Sequence, residues 1–273
     1  MAQFGWKDSP RKIKEQVNIL AWGIRCFLVR NLVGIYIHGS LAFGCFNPDL
    51  SDIDILAVTQ IGMNCRLKRK LIRYIMDLSL KPAPIDIHFL DLSRFYPWHH
   101  PAPYDLHYSE EKRLQFSAEM EDGSWEQWND KELSDPALAS YITALNHTGV
   151  TRWGEAAADV FPDVPANDLR NALIEEWCRN RQSNKITSPV HKVLSGCRLL
   201  AFLHDGRLVS KDTAGEWARK HLPGEYESLI NAALAAYRGI AEVVYLFPVE
   251  LRPFFAYLDE KIDRVGFDKQ GER

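Results

Sequence analysis

Asp52 and Asp54 stand two residues apart in the run SDIDILAV, where a polar stretch gives way to an apolar one. On a strand, residues two apart face the same way, so both carboxylates would project from one face, a few ångströms from each other. Like charges that close repel unless they stay solvated or share a cation, and paired carboxylates are the usual Mg²⁺ ligands in phosphoryl and nucleotidyl transfer. Upstream, Gly39-Ser40 closes an apolar run. Glycine there lets backbone N–H groups approach phosphate oxygens, and a short hydroxyl can donate to them. Downstream, Asp86 interrupts an apolar alternation between Ile85 and Ile87, with His88 on its own side. A carboxylate buried among such neighbours is costly unless a metal or a partner compensates it. If its strand lies beside Ile53–Val58, Asp86 becomes a third metal ligand, or the base that takes a proton from an attacking hydroxyl. Each signal alone is ordinary, since an acidic pair at a strand end is more often a capped turn or a surface pair. The order is what informs: helix, strand, Gly-Ser, a gap of 11 residues, Asp-x-Asp, helix, and a strand with an acidic residue.

The elements that must position these groups can be read from periodicity. Apolar residues at Ile13, Val17, Leu20, Ala21, Ile24 and Leu28, behind the start signal Asp8-Ser9-Pro10, predict an opening helix over 10–31. Val33–His38 is β-branched and aromatic and stops at Gly39-Ser40, as a strand entering a tight turn does. Ile53–Val58 predicts a second strand and Ala83–Leu90, entered through Lys81-Pro82, a third. Between them 66–79 has helical period, with the basic cluster Arg66–Arg73 as its solvated side. The aromatic, proline-dotted segment FYPWHHPAPYDLHYS predicts an ordered loop rather than a regular element. From Pro136 onward the period is helical, with helices expected over 136–146, 152–160, 168–180, 189–204, 211–220, 225–240 and 248–263. The carboxyl half is therefore expected to be all-α. The composition shift and Phe161-Pro162-Asp163-Val164-Pro165 divide the chain into domains 1–160 and 161–273.

Composition excludes several function classes. The chain has 273 residues, 46% hydrophobic and 25% charged, as expected of a soluble globular protein able to bury a core. Net charge is −3 and Lys and Arg are spread along the chain, which argues against bulk nucleic-acid binding. No apolar run approaches the roughly 20 residues of a membrane span. The N-terminus is polar before any apolar run begins, the wrong order for a secretory signal, so a cytoplasmic location is expected. Cys26, Cys45, Cys65, Cys178 and Cys197 are an odd number without CxxC spacing, which suggests reduced thiols and neither a disulfide framework nor a zinc site. A monomer is expected.

The ordered Gly-Ser and Asp-x-Asp signals resemble the nucleotidyltransferase superfamily typified by DNA polymerase beta. The runs IYIHGSLAFGCFNPDLSDIDILAV, FYPWHHPAPYDLHYS, FPDVPANDL and GRLVSKDTAGEWARKHLPGEY followed by AYRG are similar, in order and spacing, to the aminoglycoside adenylyltransferases that modify spectinomycin and streptomycin. The resemblance implies an α+β fold: a polymerase-beta-like domain with a mixed sheet flanked by helices, then an all-α helical bundle, with ATP as co-substrate held between them and two Mg²⁺ ions on the carboxylates. By the same resemblance Asp52 and Asp54 are metal ligands, and Gly39, Ser40 and Ser51 belong to the phosphate site. Lys211 would reach the phosphates, Arg198 and Tyr237 would contact the nucleotide, and Trp98 would line the acceptor site. Read without the resemblance, Lys211 and Arg198 are solvated charges on helices and Tyr237 is a packed helix residue. Trp98 is equally a loop anchor. His107 and Ser109 continue a family segment without an assigned role.

Two departures from the family pattern follow. The third carboxylate, a glutamate acting as base in the family, is here Asp86, which sets a base back by about 1 Å. The loop that carries a tryptophan and acidic residues in enzymes accepting streptomycin has no Asp, Glu or Trp between Cys178 and Lys192. Guanidinium groups would lose their carboxylate partners there, so the expected acceptor is spectinomycin or another small hydroxylated, cationic metabolite. Glu175, Glu176 and Trp177, just upstream, could stand in for these partners, but read first as a helix face with one packed aromatic. Alternative readings keep the fold and make it a protein-modifying transferase or a low-turnover nucleotide sensor, or take the helical half as an interaction module.

Overall fold

A computed structural model describes residues 3–182, 189–240 and 248–268 of the chain. It divides into two compact units, Gln3–Val164 and a second starting at Pro165. The first unit is α+β. Strands β1 (Leu32–Ile37), β2 (Ile53–Thr59), β3 (Ile85–Asp91), β5 (Leu106–Tyr108) and β7 (Val150–Gly154) form one sheet in the order β5-β3-β2-β1-β7. Only the β2–β3 pair is parallel. The short strands β4 (Ala102–Tyr104) and β6 (Leu133–Asp135) pair with each other.

Alternation along β2 and β3 gives the sheet two different faces. Ile53, Ile55 and Ala57, with Ile85, Ile87 and Phe89, pack against helices α1 (Arg11–Leu28) and α3 (Cys65–Leu78). Each aliphatic side chain buried there contributes about 1.5–3 kcal/mol. The opposite face carries Asp54, Leu56 and Val58, and Asp86, His88 and Leu90. Its apolar members pack with Tyr36 and with Leu138, Ile142 and Leu145 of α6 (Leu138–Thr148). That face is greasy at one end and polar at the end where β2 and β3 begin. Gln16, buried on α1, fixes the entry to β3: its Nε2 donates to Leu78 O (3.1 Å) and Ala83 O (2.7 Å), and Ala83 N donates to its Oε1 (3.1 Å). At the amino end, Phe4 and Phe46 form an isolated antiparallel bridge, with N–H···O distances of 2.9 and 3.0 Å.

Between these elements lie the short helices α2 (Gly39–Phe43), α4 (Leu92–Phe95) and α7 (Ala157–Val160), together with α5 (Arg113–Asp122). The second unit packs α8 (Ala166–Gln182), α9 (Pro189–Asp205), α10 (Lys211–His221), α11 (Glu227–Tyr237) and α12 (Pro248–Asp268). Trp177, Leu194, Cys197, Ile230, Ala233, Phe254 and Leu258 are buried within it. Among the described residues no helix is long and apolar enough to cross a membrane.

Two regions differ from the expectation. Helical period predicts a helix over 152–160, but Val150–Gly154 is a sheet-edge strand on β1 and only Ala157–Val160 is helical. Val150 and Trp153 sit at helical spacing, yet both pack on the sheet's main core, and Gly154 (φ +90°) closes the strand where a Cβ would lie 2.1 Å from Val33 O. The region after Pro136 is therefore not all helix. The predicted loop after Leu90 also holds β4 and β5, three residues each. Phe161 packs edge-to-face on Tyr36 at 4.9 Å, which keeps the residues up to Val164 with the sheet unit.

Candidate active site

Parallel pairing in register sets Asp54 of β2 opposite Asp86 of β3, one strand spacing apart on the same face. Asp52 lies just ahead of β2 and is exposed. At the end of β1, His38 N donates to Asp54 O (3.1 Å) and the chain then turns at Gly39. Gly39 has φ +61°, and a Cβ there would sit 1.8 Å from Asp54 Oδ2, so the carboxylate rests against the bare Cα. Ser40 follows in α2, its carbonyl accepting from Cys45 N at 3.0 Å. Ser51 closes the loop before Asp52: Asn47 N donates to its Oγ (3.1 Å) and its own N donates to Asn47 O (2.8 Å). The structure thus brings Gly39, Asp54 and Asp86 together, with Ser40 in the short helix that Gly39 opens and Ser51-Asp52 in the loop before β2.

This donor set fits a hard divalent cation. Carboxylate oxygens from two adjacent strands share one face, and Gly39 keeps clear the space that Asp54 Oδ2 needs.

Behind Asp86 lies a polar network that sequence reading did not assemble. His107 of β5 is paired in register with His88 of β3, and their rings stack at 3.6 Å and 15°. His107 Nε2 lies 3.1 Å from Asp86 Oδ1, and Lys112 Nζ lies 2.8 Å from His107 Nδ1. His88 stands between two carboxylates, 3.7 Å from Asp86 and 3.3 Å from Asp135. Burial raises the proton affinity of Asp86, but the hydrogen bond with His107 and the nearby imidazoles of His107, His88 and His38 more than offset it. Asp86 is held below the usual carboxylate range. Burial pushes His38 down to about 3 and also lowers His88, so both are neutral near pH 7. Burial lowers Lys112, against the opposing pull of Asp86, Asp135 and Glu111. One ligand atom each from Asp86, His88 and His107 lies within 4.8 Å of the others. The signal for His107 was present as the alternation Leu106-His107-Tyr108, apolar-polar-apolar, hidden in a proline-dotted segment.

In the helical unit, Glu176 is the hub. Arg198 of α9 ion-pairs with it, Lys211 Nζ at the start of α10 lies 4.0 Å away, and Ser195 Oγ donates at 3.4 Å. Burial works against its charge, yet Arg198 and Lys211 hold Glu176 below the usual carboxylate range. Arg198 and Lys211 are thus gathered around one carboxylate, and Glu176 is more than a helix face. Tyr237 ends α11, its ring 6.0 Å from that of His191. Trp98, in the sheet unit, stands edge-on to Phe95 at 5.8 Å and packs on the apolar cluster around Tyr36, Leu90 and Phe95, as a loop anchor does.

Two family models match the chain in succession: a nucleotidyltransferase domain over residues 20–114, and the C-terminal domain of aminoglycoside adenylyltransferase over residues 159–257. The chain thus carries in order the two domain types these models describe, and it is similar along most of its length to aminoglycoside adenylyltransferases. It is accordingly a nucleotidyltransferase. The chain is 26% identical over 263 residues to aminoglycoside (3'') (9) adenylyltransferase of Klebsiella pneumoniae, covering 93% of this chain and 96% of the relative. It is 26% identical over 216 residues to spectinomycin 9-adenylyltransferase of Staphylococcus aureus, covering 77% and 79% respectively. Its fold matches the crystal structure of the spectinomycin adenyltransferase AAD(9) of Enterococcus faecalis, solved with ATP and spectinomycin. That match has TM-score 0.79 and 22% identity, and covers 92% of this chain and 99% of that one.

Proposed function

We propose that this adenylyltransferase moves AMP from ATP to a hydroxyl of an aminocyclitol or aminoglycoside, with spectinomycin preferred over streptomycin. The observation that carries the reading is the pairing of Asp54 with Asp86 across β2 and β3, beside the Gly39 turn that accommodates the Asp54 carboxylate. Asp52, Asp54 and Asp86 would hold Mg²⁺, which when bound supplies positive charge against the triphosphate and the leaving pyrophosphate. Asp86 takes the proton of the acceptor hydroxyl, whose oxygen bonds to the α-phosphorus as the bond to pyrophosphate breaks. Gly39, Ser40 and Ser51 face the phosphates. Arg198, Lys211 and Tyr237 contribute to nucleotide binding, and Trp98 to the acceptor site. The relatives' names support an aminocyclitol acceptor. The preference for spectinomycin rests on the absence of Asp, Glu and Trp between Cys178 and Lys192, a segment of which residues 183–188 lie outside the described structure.

The test is pyrophosphate release from ATP and Mg²⁺ with each drug. Wild type is expected to turn over spectinomycin, and Asp54→Asn to lose about 10²–10³-fold, the several kcal/mol that charge stabilisation at a phosphoryl centre provides. No release with any aminocyclitol overturns the acceptor class. Equal turnover of streptomycin overturns the preference, and an active Asp54→Asn overturns the metal assignment.

A further inference from the structure

Asp86 has one methylene fewer than the glutamate that the family resemblance implies, so the way its carboxylate is held decides whether it can reach a substrate hydroxyl. Its Oδ1 is 3.1 Å from His107 Nε2, and the other nitrogen of that ring, Nδ1, is 2.8 Å from Lys112 Nζ. An ammonium group has three donors and no acceptor, so Nδ1 must present a lone pair to it. A neutral imidazole accepting at Nδ1 carries its hydrogen on Nε2, and that hydrogen points at Asp86 Oδ1. The chain of hydrogen bonds therefore has one direction: Lys112 donates to His107, and His107 donates to Asp86. The plane of the ring is fixed as well. It stacks on His88 at 3.6 Å, the two residues are paired in register across β3 and β5, and Tyr104 stands edge-on to both rings, at 5.4 and 6.0 Å.

We infer that His107 and Lys112 are positioning residues for the transfer reaction, a one-way hydrogen-bond chain that grips Asp86 by Oδ1 and aims its second oxygen at the acceptor hydroxyl. This rests on the reading of Asp86 as the base. The same direction bears on the cluster of Asp86, His88 and His107: a ring nitrogen that carries hydrogen has no lone pair for a metal, so His107 orients a carboxylate and does not ligate. Glutamine can reproduce the arrangement, because its carbonyl accepts from Lys112 while its NH₂ donates to Asp86.

Steady-state kinetics with ATP, Mg²⁺ and spectinomycin, together with ¹⁵N NMR of the imidazoles in the wild-type enzyme, test the inference. His107→Ala is expected to lower kcat about 10- to 100-fold, the scale of a carboxylate misplaced by around 1 Å, with KM for ATP unchanged. His107→Gln is expected to recover most of that loss. The wild-type spectrum is expected to show His107 as the Nε2–H tautomer, and Lys112→Met to show a mixture. If Asp86→Asn is inactive while His107→Ala stays within twofold of wild type, the positioning role is overturned and Asp86 keeps its own. If Asp86→Asn is active, the base reading itself falls. An Nδ1–H tautomer in wild type, or His107→Gln as impaired as His107→Ala, overturns the direction of the chain. The NMR arm needs only wild-type protein, so a poorly folded variant does not remove the test.

Discussion

At the scale of single residues, Gly39 is a position of the candidate site where a side chain has no room. Its φ of +61° already costs an L-residue about 1–2 kcal/mol, and the Asp54 carboxylate occupies the space a side chain would need. Gly39→Ala is therefore expected to displace Asp54 and lower pyrophosphate release by at least the roughly 10²-fold that misplaced catalytic groups cost, with only a modest loss of thermal stability. A variant of near-normal activity would show that Asp54 is free to move. Gly39-Ser40, Asp52, Asp54 and Asp86 were legible in the sequence because their spacing is local and each lies at the end or start of a strand. His107 and Lys112 were not, because what they do depends on which strand pairs with β3, and no spacing within a chain states that. Glu176 was read as part of a helix face, since helical period places a residue on a face but does not say which cations of α9 and α10 converge on it.

At the scale of elements, α1, β1, β2, α3 and β3 follow from period and turn chemistry, while β5 and β7 do not. A three-residue strand carries only one alternation, and an edge strand needs apolar groups on one side only, so neither fills a window long enough to count. What secures β5 is the turn behind it. Tyr108 donates to Glu110 Oε1 (2.8 Å), Arg113 pairs with Glu110 (2.6 Å), and Arg113 also donates to Met76 O (2.9 Å) on α3. Chiefly because of Arg113, Glu110 is lowered from its ordinary 4.5 to about 2. A depressed carboxylate contributes stability that is complete above its unfolded pKa and is lost as pH falls through the folded one, so the window runs from about 4.5 down to about 2. Glu110→Gln is expected to destabilise the protein by about 1–3 kcal/mol at pH 6. The gap between variant and wild type in denaturant titrations is expected to narrow as pH falls towards 2. A gap that stays constant across the window would mean that Glu110 is not the titrating partner.

At the scale of the whole molecule, the change from a mixed composition to helical period announced two units, and the α+β class with a helical second half is what the structure has. The long apolar helix faces carried that reading. The detail it lost is the last strand, since β7 returns to β1 after α6 and commits the chain up to Val164 to the sheet unit. The amino end is committed as well. Phe4 bridges to Phe46, a fully buried residue in the segment that joins Gly39-Ser40 to Asp52, so residues ahead of α1 brace the loop leading to the carboxylates. Deleting residues 1–8 removes two backbone hydrogen bonds and is expected to cost about 1–3 kcal/mol. Turnover is expected to fall several-fold while circular dichroism stays unchanged, and full activity in the truncated protein would show the brace to be dispensable. The bridge also has a practical side for anyone building a reporter or an immobilised sensor from this protein. A purification tag or surface tether attached at the amino terminus pulls on the ribbon that holds Phe46, in the loop leading to Asp52 and Asp54, so the handle belongs away from that end.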